Sequence, residues 1–368
     1  MELFFINLAF MALLCVLEDR PVTLDSRQER LDPKSLMALG IAYLCFLGMF
    51  RGAACGNDTS NYHELYLRIA SQSGLLYSIR NTSFEPLFAA LIYLLSRLTH
   101  NPQILFIVTA LFSFAVTGRF MSKYSSRPCF SLYLFFTLQL FDFYISGVRQ
   151  ALAISILLLA YEAMDNKKPI QMVLLIMLAG LFHRSALIWL PVYFLLRIPR
   201  RKTFVWVTVA ACAVAFVCSK YLVTIIATAI PRYQFYLGSN YLKSGFKLSL
   251  LLYFLVFGLV LLVCEFFRGK EDTPEQDERD EWDFRLSFLL PVVCVLGYTA
   301  PIFSRFLQYF QPYLCVYFAN RLARMPEKFR RFLLIASLIC FAAYAATIQI
   351  LRTPRWYTTY PFVFCWDS

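Results

Sequence analysis

Charge is scarce in this sequence. Only 16% of its 368 residues are Asp, Glu, Lys or Arg, whereas 59% are hydrophobic. So few polar side chains cannot cover so much apolar content in water. A soluble globular protein is excluded, and a polytopic membrane protein is implied. Acidic residues are scarcer still, 23 against 35 basic ones, for a net charge of +12. The basic residues lie mostly in short connectors between apolar runs. That is the positive-inside pattern, not a nucleic-acid-binding patch. The 13 glycines form no phosphate-binding loop, and the 11 cysteines and three histidines show no zinc spacing, so no cofactor is expected; a metal would have only Asp58 and Glu85, two carboxylates of unknown separation, and none is expected either. Most cysteines sit inside apolar runs as small hydrophobes. Cys55 and Cys365 are the pair open to a disulfide, on a shared outer face. No internal repeat is present.

A succession of apolar runs fills the chain instead. They occur near residues 1–17, 35–50, 85–99, 102–118, 129–145, 148–164, 169–182, 185–197, 203–226, 247–267, 284–303, 306–320 and 331–350. A span needs about 20 apolar residues, and the shorter runs are broken or re-entrant. The fold class is an all-α polytopic membrane protein of roughly 11–13 transmembrane or re-entrant helices. The first run has neither a basic start nor a small-residue cleavage site and reads as a retained span. Residues 1–350 read as one polytopic domain and 351–368 as an outer-face tail.

Basic connectors orient the chain. DNKK (165–168), RIPRRK (197–202), RLARMPEKFRR (321–331) and the long charged, unstructured loop 268–284 read as cytoplasmic. Residues 51–84, 146–149, 182–185, 222–246 and 301–305 then face outward. Loop 119–128 is basic, contains no acid, and also reads as cytoplasmic. That leaves an odd number of runs between two outer sites, a conflict removed if 85–99 is a re-entrant or half-depth helix. Within 51–84, Tyr62, Leu65, Tyr66 and Ile69 recur at i, i+3, i+4 and i+7. This is the stripe of an amphipathic helix near residues 60–73, expected on the outer membrane surface, with N-caps available from Asp58 to Asn61.

In lipid, an ionisable side chain costs about 2.5–3.5 kcal/mol at a helix centre on insertion scales, so each one at membrane depth marks a cavity or a partner. On the outer half these are Arg51, Asp58, Glu85, Arg149, His183, Arg184 and Arg305. Arginines at the ends of apolar segments, on the side where positive charge is scarce, suit a pyrophosphate, which their planar forks bind well. Arg149 and Gln150 follow Gly147 and open a helix whose N-terminus itself favours anions. The plainer reading is an arginine snorkelling to the headgroups. Asp58 reads as a general base, a metal or sugar ligand, or a helix N-cap. Glu85, before Pro86, reads as a site carboxylate or an ordinary cap. His183, beside Arg184, reads as an acid or base near neutral pH, or as a polar residue at a helix break. Arg305, with Tyr309 one turn on, reads as a site residue or an interfacial anchor. Tyr62 offers a sugar-stacking face.

Five stretches occur in order: RGAACGNDTSNY (51–62), SFEPLF (83–88), GVRQALA (147–153), LFHRSALI (181–188) and SRFLQYF (304–310). Together they resemble the EpsG family of bacterial membrane proteins, relatives of the Wzy-type polysaccharide polymerases, over roughly residues 1–350. The family's Arg, Asp, Arg-Gln and His positions map onto Arg51, Asp58, Arg149, Gln150 and His183. Asn57 stands where Thr is common in the family, which leaves the ligand role of Asp58 open. The resemblance implies glycosyl transfer between repeat units carried on undecaprenyl pyrophosphate, giving an exopolysaccharide, capsule or O-antigen. It implies a multi-pass protein of the bacterial cytoplasmic membrane whose active site faces the periplasm or exterior. The partners implied are a lipid-linked glycan donor and acceptor, membrane lipid, and chain-length or export proteins. Asp58, His183 and Arg149 are the expected catalytic residues. Arg51, Arg149, Gln150, Arg184, Arg305, Glu85, Tyr62 and Tyr309 are expected to bind pyrophosphate or sugar. The rivals are a flippase or transporter of lipid-linked oligosaccharides, an O-antigen ligase, a membrane acyltransferase using His183, and a non-catalytic scaffold. The lack of internal symmetry counts against a transporter, the modest loop 222–246 against a ligase, and the outer arginines against a scaffold.

Overall fold

Prolines begin helices in this chain. In the computed structural model, which describes residues 1–19, 21–24, 27–229, 247–268, 274–352 and 357–367, Pro33, Pro86, Pro128 and Pro169 each open a helix. A missing backbone N–H is no loss there, and the fixed φ suits the first turn. The first of these starts is also capped, because Asp32 accepts hydrogen bonds from the backbone N–H groups of Lys34 and Ser35.

The elements, in chain order, begin with α1 (Glu2–Asp19), the antiparallel hairpin β1 (Pro21–Leu24) and β2 (Arg27–Arg30), and α2 (Pro33–Met49). There follow α3 (Thr59–Ala70), α4 (Leu75–Arg80), α5 (Pro86–Ser96), α6 (Gln103–Tyr124), α7 (Pro128–Thr137), α8 (Leu140–Ser146), α9 (Val148–Asp165) and α10 (Pro169–Phe182). A 3-10 turn (Arg184–Ile188) leads to α11 (Trp189–Leu196), α12 (Arg201–Ala229), α13 (Leu248–Phe266) and α14 (Pro274–Thr299). A second 3-10 turn (Pro301–Phe306), α15 (Leu307–Arg324) and α16 (Glu327–Arg352) complete the order.

Among the described residues, five helices are long and apolar enough to cross a membrane: α6, α12 over Arg201–Cys218, α13, α14 over Asp277–Thr299, and α16 over Glu327–Leu351. The pair α7 and α8, bent by 61° at its break, makes a sixth if it is one span. Gln139 at that break has φ 65°, a left-handed conformation uncommon for a residue with a Cβ. Helices α2, α5, α10 and the stretch Arg184–Leu196 are apolar but shorter. The chain is thus an all-α multi-pass membrane protein apart from one short hairpin. The other segments among the eleven to thirteen expected are shorter, more charged or less apolar helices. With eleven residues, α5 rises about 16 Å. That is about half of a hydrocarbon core, too short for a full span.

The domain drawn over residues 1–350 divides into two compact units, Met1–Trp189 with Pro326–Ser368, and Leu190–Met325. In the second unit, the charged stretch expected as an unstructured loop over 268–284 is helical from Pro274 onward, and residues 269–273 lie outside the described residues. Two of its acids are engaged in ion pairs. Asp280 pairs with Arg321 and Arg324, and Glu281 pairs with Arg201 and Arg285. The outer loop read at 222–246 lies outside the described residues from 230 on; residues 222–229 belong to α12.

In the first unit, the C-terminal stretch is built into the fold and is not a tail. Gly52 N–H donates to Val363 O at 2.7 Å, Cys365 N–H to Phe50 O at 2.9 Å, and Gly56 N–H to Thr358 O at 3.2 Å. Cys55 and Cys365 are not joined by a disulfide. Cys55 instead accepts from the Val363 N–H at 3.0 Å.

The amphipathic stripe is present as read, in α3, but it does not lie on the membrane surface. Tyr62, Leu65, Tyr66 and Ile69 are buried against Phe88, Ala89, Ile92 and Leu95 of α5, Leu105 and Phe106 of α6, and Val148 and Leu152 of α9. Periodicity identifies an apolar face but not what covers it. Leu65→Ala is expected to cost about 2–5 kcal/mol, the range for truncating a core leucine. Denaturation of the detergent-purified protein measures this, and a cost near zero would return α3 to the surface.

Candidate functional site

Three helix ends of the first unit meet at one carboxylate. Glu85 stands immediately before α5, at its N-cap position, but its side chain makes no capping hydrogen bond. It turns to two other helix ends. Arg149 Nη1, in the first turn of α9, donates to Glu85 Oε2 at 2.5 Å. His183 Nδ1, just past the end of α10, lies 3.6 Å from Glu85 Oε1, an electrostatic contact longer than a hydrogen bond. The Arg149 guanidinium lies over the Phe84 ring, 4.5 Å from its centroid, and its Nε approaches Tyr62 Oη at 3.4 Å. Tyr62 is buried, and its ring meets Phe88 edge-on at 5.4 Å.

The carboxylate is buried, while Arg149 and His183 keep 21% and 18% of their side chains exposed. The cluster therefore has a dry floor and a wet rim, which suits a group that must meet a ligand. Burial by itself pushes the Glu85 carboxyl up. The His183 imidazole and the Arg149 guanidinium outweigh it and hold the group at about 2, against an ordinary 4.5.

The turn that delivers Arg149 depends on Gly147, the residue before α9. Its φ of −101° is open to any residue. A Cβ there would stand 3.0 Å from two carbons of the Phe143 ring, so close approach and not conformational freedom favours the glycine. Gly56, two residues before Asp58, does need its freedom: φ is +93°, and a Cβ would lie 2.7 Å from Thr59 Oγ1.

Asp58 also sits at an N-cap position, that of α3, and also makes no capping bond. It is half-buried, one helical turn before Tyr62, whose backbone N–H donates to the Asp58 carbonyl at 3.0 Å. Its loop is held by residues for which the sequence carries no local signal. Asn57 N–H donates to Ser146 Oγ at 3.2 Å, Ser146 Oγ donates to Tyr357 O at 2.7 Å, and Thr358 Oγ1 donates to Asn57 Oδ1 at 3.0 Å. The C-terminal stretch thereby ties the Asp58 loop to the turn before α9.

Tyr62, Glu85, Arg149 and His183 are thus brought together, with Asp58 one turn away. Gln150, next to Arg149, is buried, and Arg184, next to His183, is exposed. Arg51 is set apart. It is 2% exposed, donates to Gly48 O at 2.5 Å and stacks on Phe106 with its Cζ 4.2 Å from the ring centroid. A guanidinium enclosed in this way does not reach a substrate pyrophosphate. Arg305 is exposed and Tyr309 buried, and both belong to the second unit. Phe84 escaped the sequence reading; its position directly before Glu85 was the available signal. Asp142 escaped it too. It is buried in α8 and accepts from Gln349 Nε2 of α16 at 2.8 Å. Among the described residues, no three His, Cys, Asp or Glu side chains gather as a metal-holding group.

Because the folded value of Glu85 lies below its unfolded one, the cluster's contribution is fully present above about pH 4.5 and is lost as pH falls through about 2. The shift corresponds to about 3 kcal/mol. The stability gap between wild type and Glu85→Gln is expected to be of that size at pH 7 and to shrink steadily below pH 4.5. Unfolding of both proteins across that range tests it, and a gap independent of pH would remove the ion cluster as its cause.

Comparison with known proteins gives one family. The model of the EpsG family matches residues 35–364. No curated protein and no solved structure matches the chain.

Proposed function

The chain belongs to the EpsG family, and from that premise we propose that it joins polyprenyl-pyrophosphate-linked oligosaccharide repeats into a surface polysaccharide. The observation that carries this reading is the placement of Glu85 between Arg149 and His183. It gives a candidate base and a candidate anion-binding group held side by side at an exposed rim. The membrane is the bacterial cytoplasmic membrane, and the cluster faces its outer side.

In the proposed reaction the bond from sugar C1 to the pyrophosphate oxygen breaks, and its electron pair stays on that oxygen. An acceptor hydroxyl oxygen, from the sugar of a second lipid-linked repeat, forms the new bond to C1. The acceptor proton passes to His183. Glu85 faces Nδ1 of that imidazole, which favours the tautomer with Nδ1 protonated and Nε2 free to accept. Asp58, uncommitted to capping, is the second candidate base and a ligand for acceptor hydroxyls.

Negative charge grows on the pyrophosphate as the bond breaks. Fixed donors aimed at that charge stabilise the transition state more than the ground state, which is what accelerates the step. Arg149 and Arg184 take this role, with Gln150 supporting the first turn of α9. Arg305 and Tyr309 remain candidates of the second unit for the lipid-linked sugar. Arg51 is left out, because it is enclosed.

The test is the product formed by purified protein from a lipid-pyrophosphate-linked repeat unit, beside the surface polymer of cells carrying the same variants. His183→Ala is expected to slow polymerisation by about 10²–10⁴-fold, the usual contribution of a general base. Arg149→Lys is expected to fail as well, because an ammonium cannot replace a guanidinium that meets Glu85, Tyr62 and Phe84 together. Both variants must be present in the membrane at wild-type level, with single-repeat material accumulating. Polymer of normal length from His183→Ala would sink the assignment. Loss of all surface material, with lipid-linked repeats retained inside, would favour a transporter.

A further inference from the structure

Arg51 is a buried cation with too few partners. It lies just past the C-terminus of α2, and of its donors only Nη1 is engaged, by Gly48 O. Among the described residues, Nε and Nη2 have no hydrogen-bond partner. Burial pulls its pKa down only to about 9, so it is charged at neutral pH. The titratable groups around it offer no negative charge. Burial pushes the thiol of Cys55 and the phenol of Tyr62 up, so both are neutral. His63 stacks on Phe106, the ring on which Arg51 also lies, and its pKa is held down by burial and by the Arg51 charge. The carbonyl end of α2 supplies a partial negative charge, equivalent to about half an electron for a full helix. The remainder is uncompensated, and a buried charge is costly without a complement.

A cavity of about 10 Å³ adjoins this guanidinium, lined by Arg51, Thr109, Ser113, Tyr144 and Val148 among others. The Thr109 hydroxyl is committed to Leu105 O at 2.7 Å, and Tyr144 Oη lies 3.2 Å from Thr117 Oγ1. The Ser113 hydroxyl is buried and without a partner among the described residues. The unpartnered polar groups of the residues lining it are thus the Arg51 Nε–H and Nη2–H₂ and the Ser113 hydroxyl, all able to donate. A guanidinium has no acceptor to offer. The complement is an acceptor carrying negative charge, in a space that admits about one water-sized sphere. Phosphate and carboxylate do not fit.

We infer that this cavity binds a single monatomic anion, chloride or its like, as the counter-ion of Arg51, with Ser113 Oγ as the further ligand. Val148 in its wall directly precedes Arg149, so the anion also braces the first turn of α9. The inference stands on Arg51 and Ser113 and does not depend on the reaction catalysed.

The test is thermal unfolding of the detergent-purified wild type in sodium chloride, bromide, sulfate and gluconate at matched ionic strength. Chloride and bromide are expected to raise the midpoint by several degrees, saturably, as a site ligand does. Sulfate is expected to match gluconate. Ser113→Val fills the cavity and keeps Arg51, and it is expected to weaken the halide response at least tenfold in concentration. Arg51→Met removes the charge at similar volume and is expected to abolish the response. Equal wild-type midpoints in chloride and gluconate would mean that water alone occupies the cavity, and the inference would fall. A full halide response in Ser113→Val would also overturn it, whether or not Arg51→Met folds.

Discussion

A carboxylate removed from water must find positive charge or donors, and Glu85 finds both in side chains from two other helix ends. Left alone, such a group would cost several kcal/mol or give up its charge. The start of α5, the start of α9 and the end of α10 are therefore held at one point. Leu65, Phe88 and Val148 pack beneath that point in one apolar cluster. The cluster orders the backbone and the ion contacts order the side chains, so neither Arg149 nor His183 is left to find its geometry when a ligand arrives.

Helix capping was the ordinary explanation for both carboxylates near the site, and it fails for both. Asp58 and Glu85 each occupy an N-cap position without making a capping bond. Asp32 occupies the same position before α2 and does cap. The three look alike in sequence, each an acid just before a helix. What separates them is exposure. Asp32 is in water, where bonding its own backbone is the best available contact. Glu85 is buried beside Arg149, and a buried carboxylate bonds better to a full opposite charge than to a neutral backbone N–H.

The legible parts of this protein were those that follow from spacing. The four-residue stripe of α3, the half-length α5, the break near His183 and the proline starts can all be read from the neighbouring residues. What could not be read were contacts made across long separations in sequence. The basic run 119–128 contains no acid, but Arg119 and Lys123 share Glu162 of α9, and Arg127 meets Asp19 of α1. The cation excess that orients this stretch is smaller than a local count suggests. The Asp58 loop likewise owes its shape to Tyr357 and Thr358, some 300 residues on. The charged stretch after α13 looked unstructured because its partners, Arg201, Arg321 and Arg324, lie on other helices.

Arg51 and Arg149 show why an arginine at the end of an apolar segment cannot be assigned from its position alone. Both close or open such a segment, and both lie over a phenylalanine ring, at 4.2 and 4.5 Å. Arg149 has a carboxylate and a partly exposed edge. Arg51 has neither. In the transfer proposed for the site, this difference decides which of the two can act. The Arg149–Glu85 pair is close to neutral before substrate binds, so Arg149 needs no separate counter-ion in the empty site. The guanidinium already points where its bonds to Glu85 and Tyr62 hold it, and little reorganisation remains for the moment when charge develops. A bare arginine in the same place would bind the ground-state pyrophosphate more tightly. It would also spend that attraction before the bond begins to break, and only what is added in the transition state speeds the reaction.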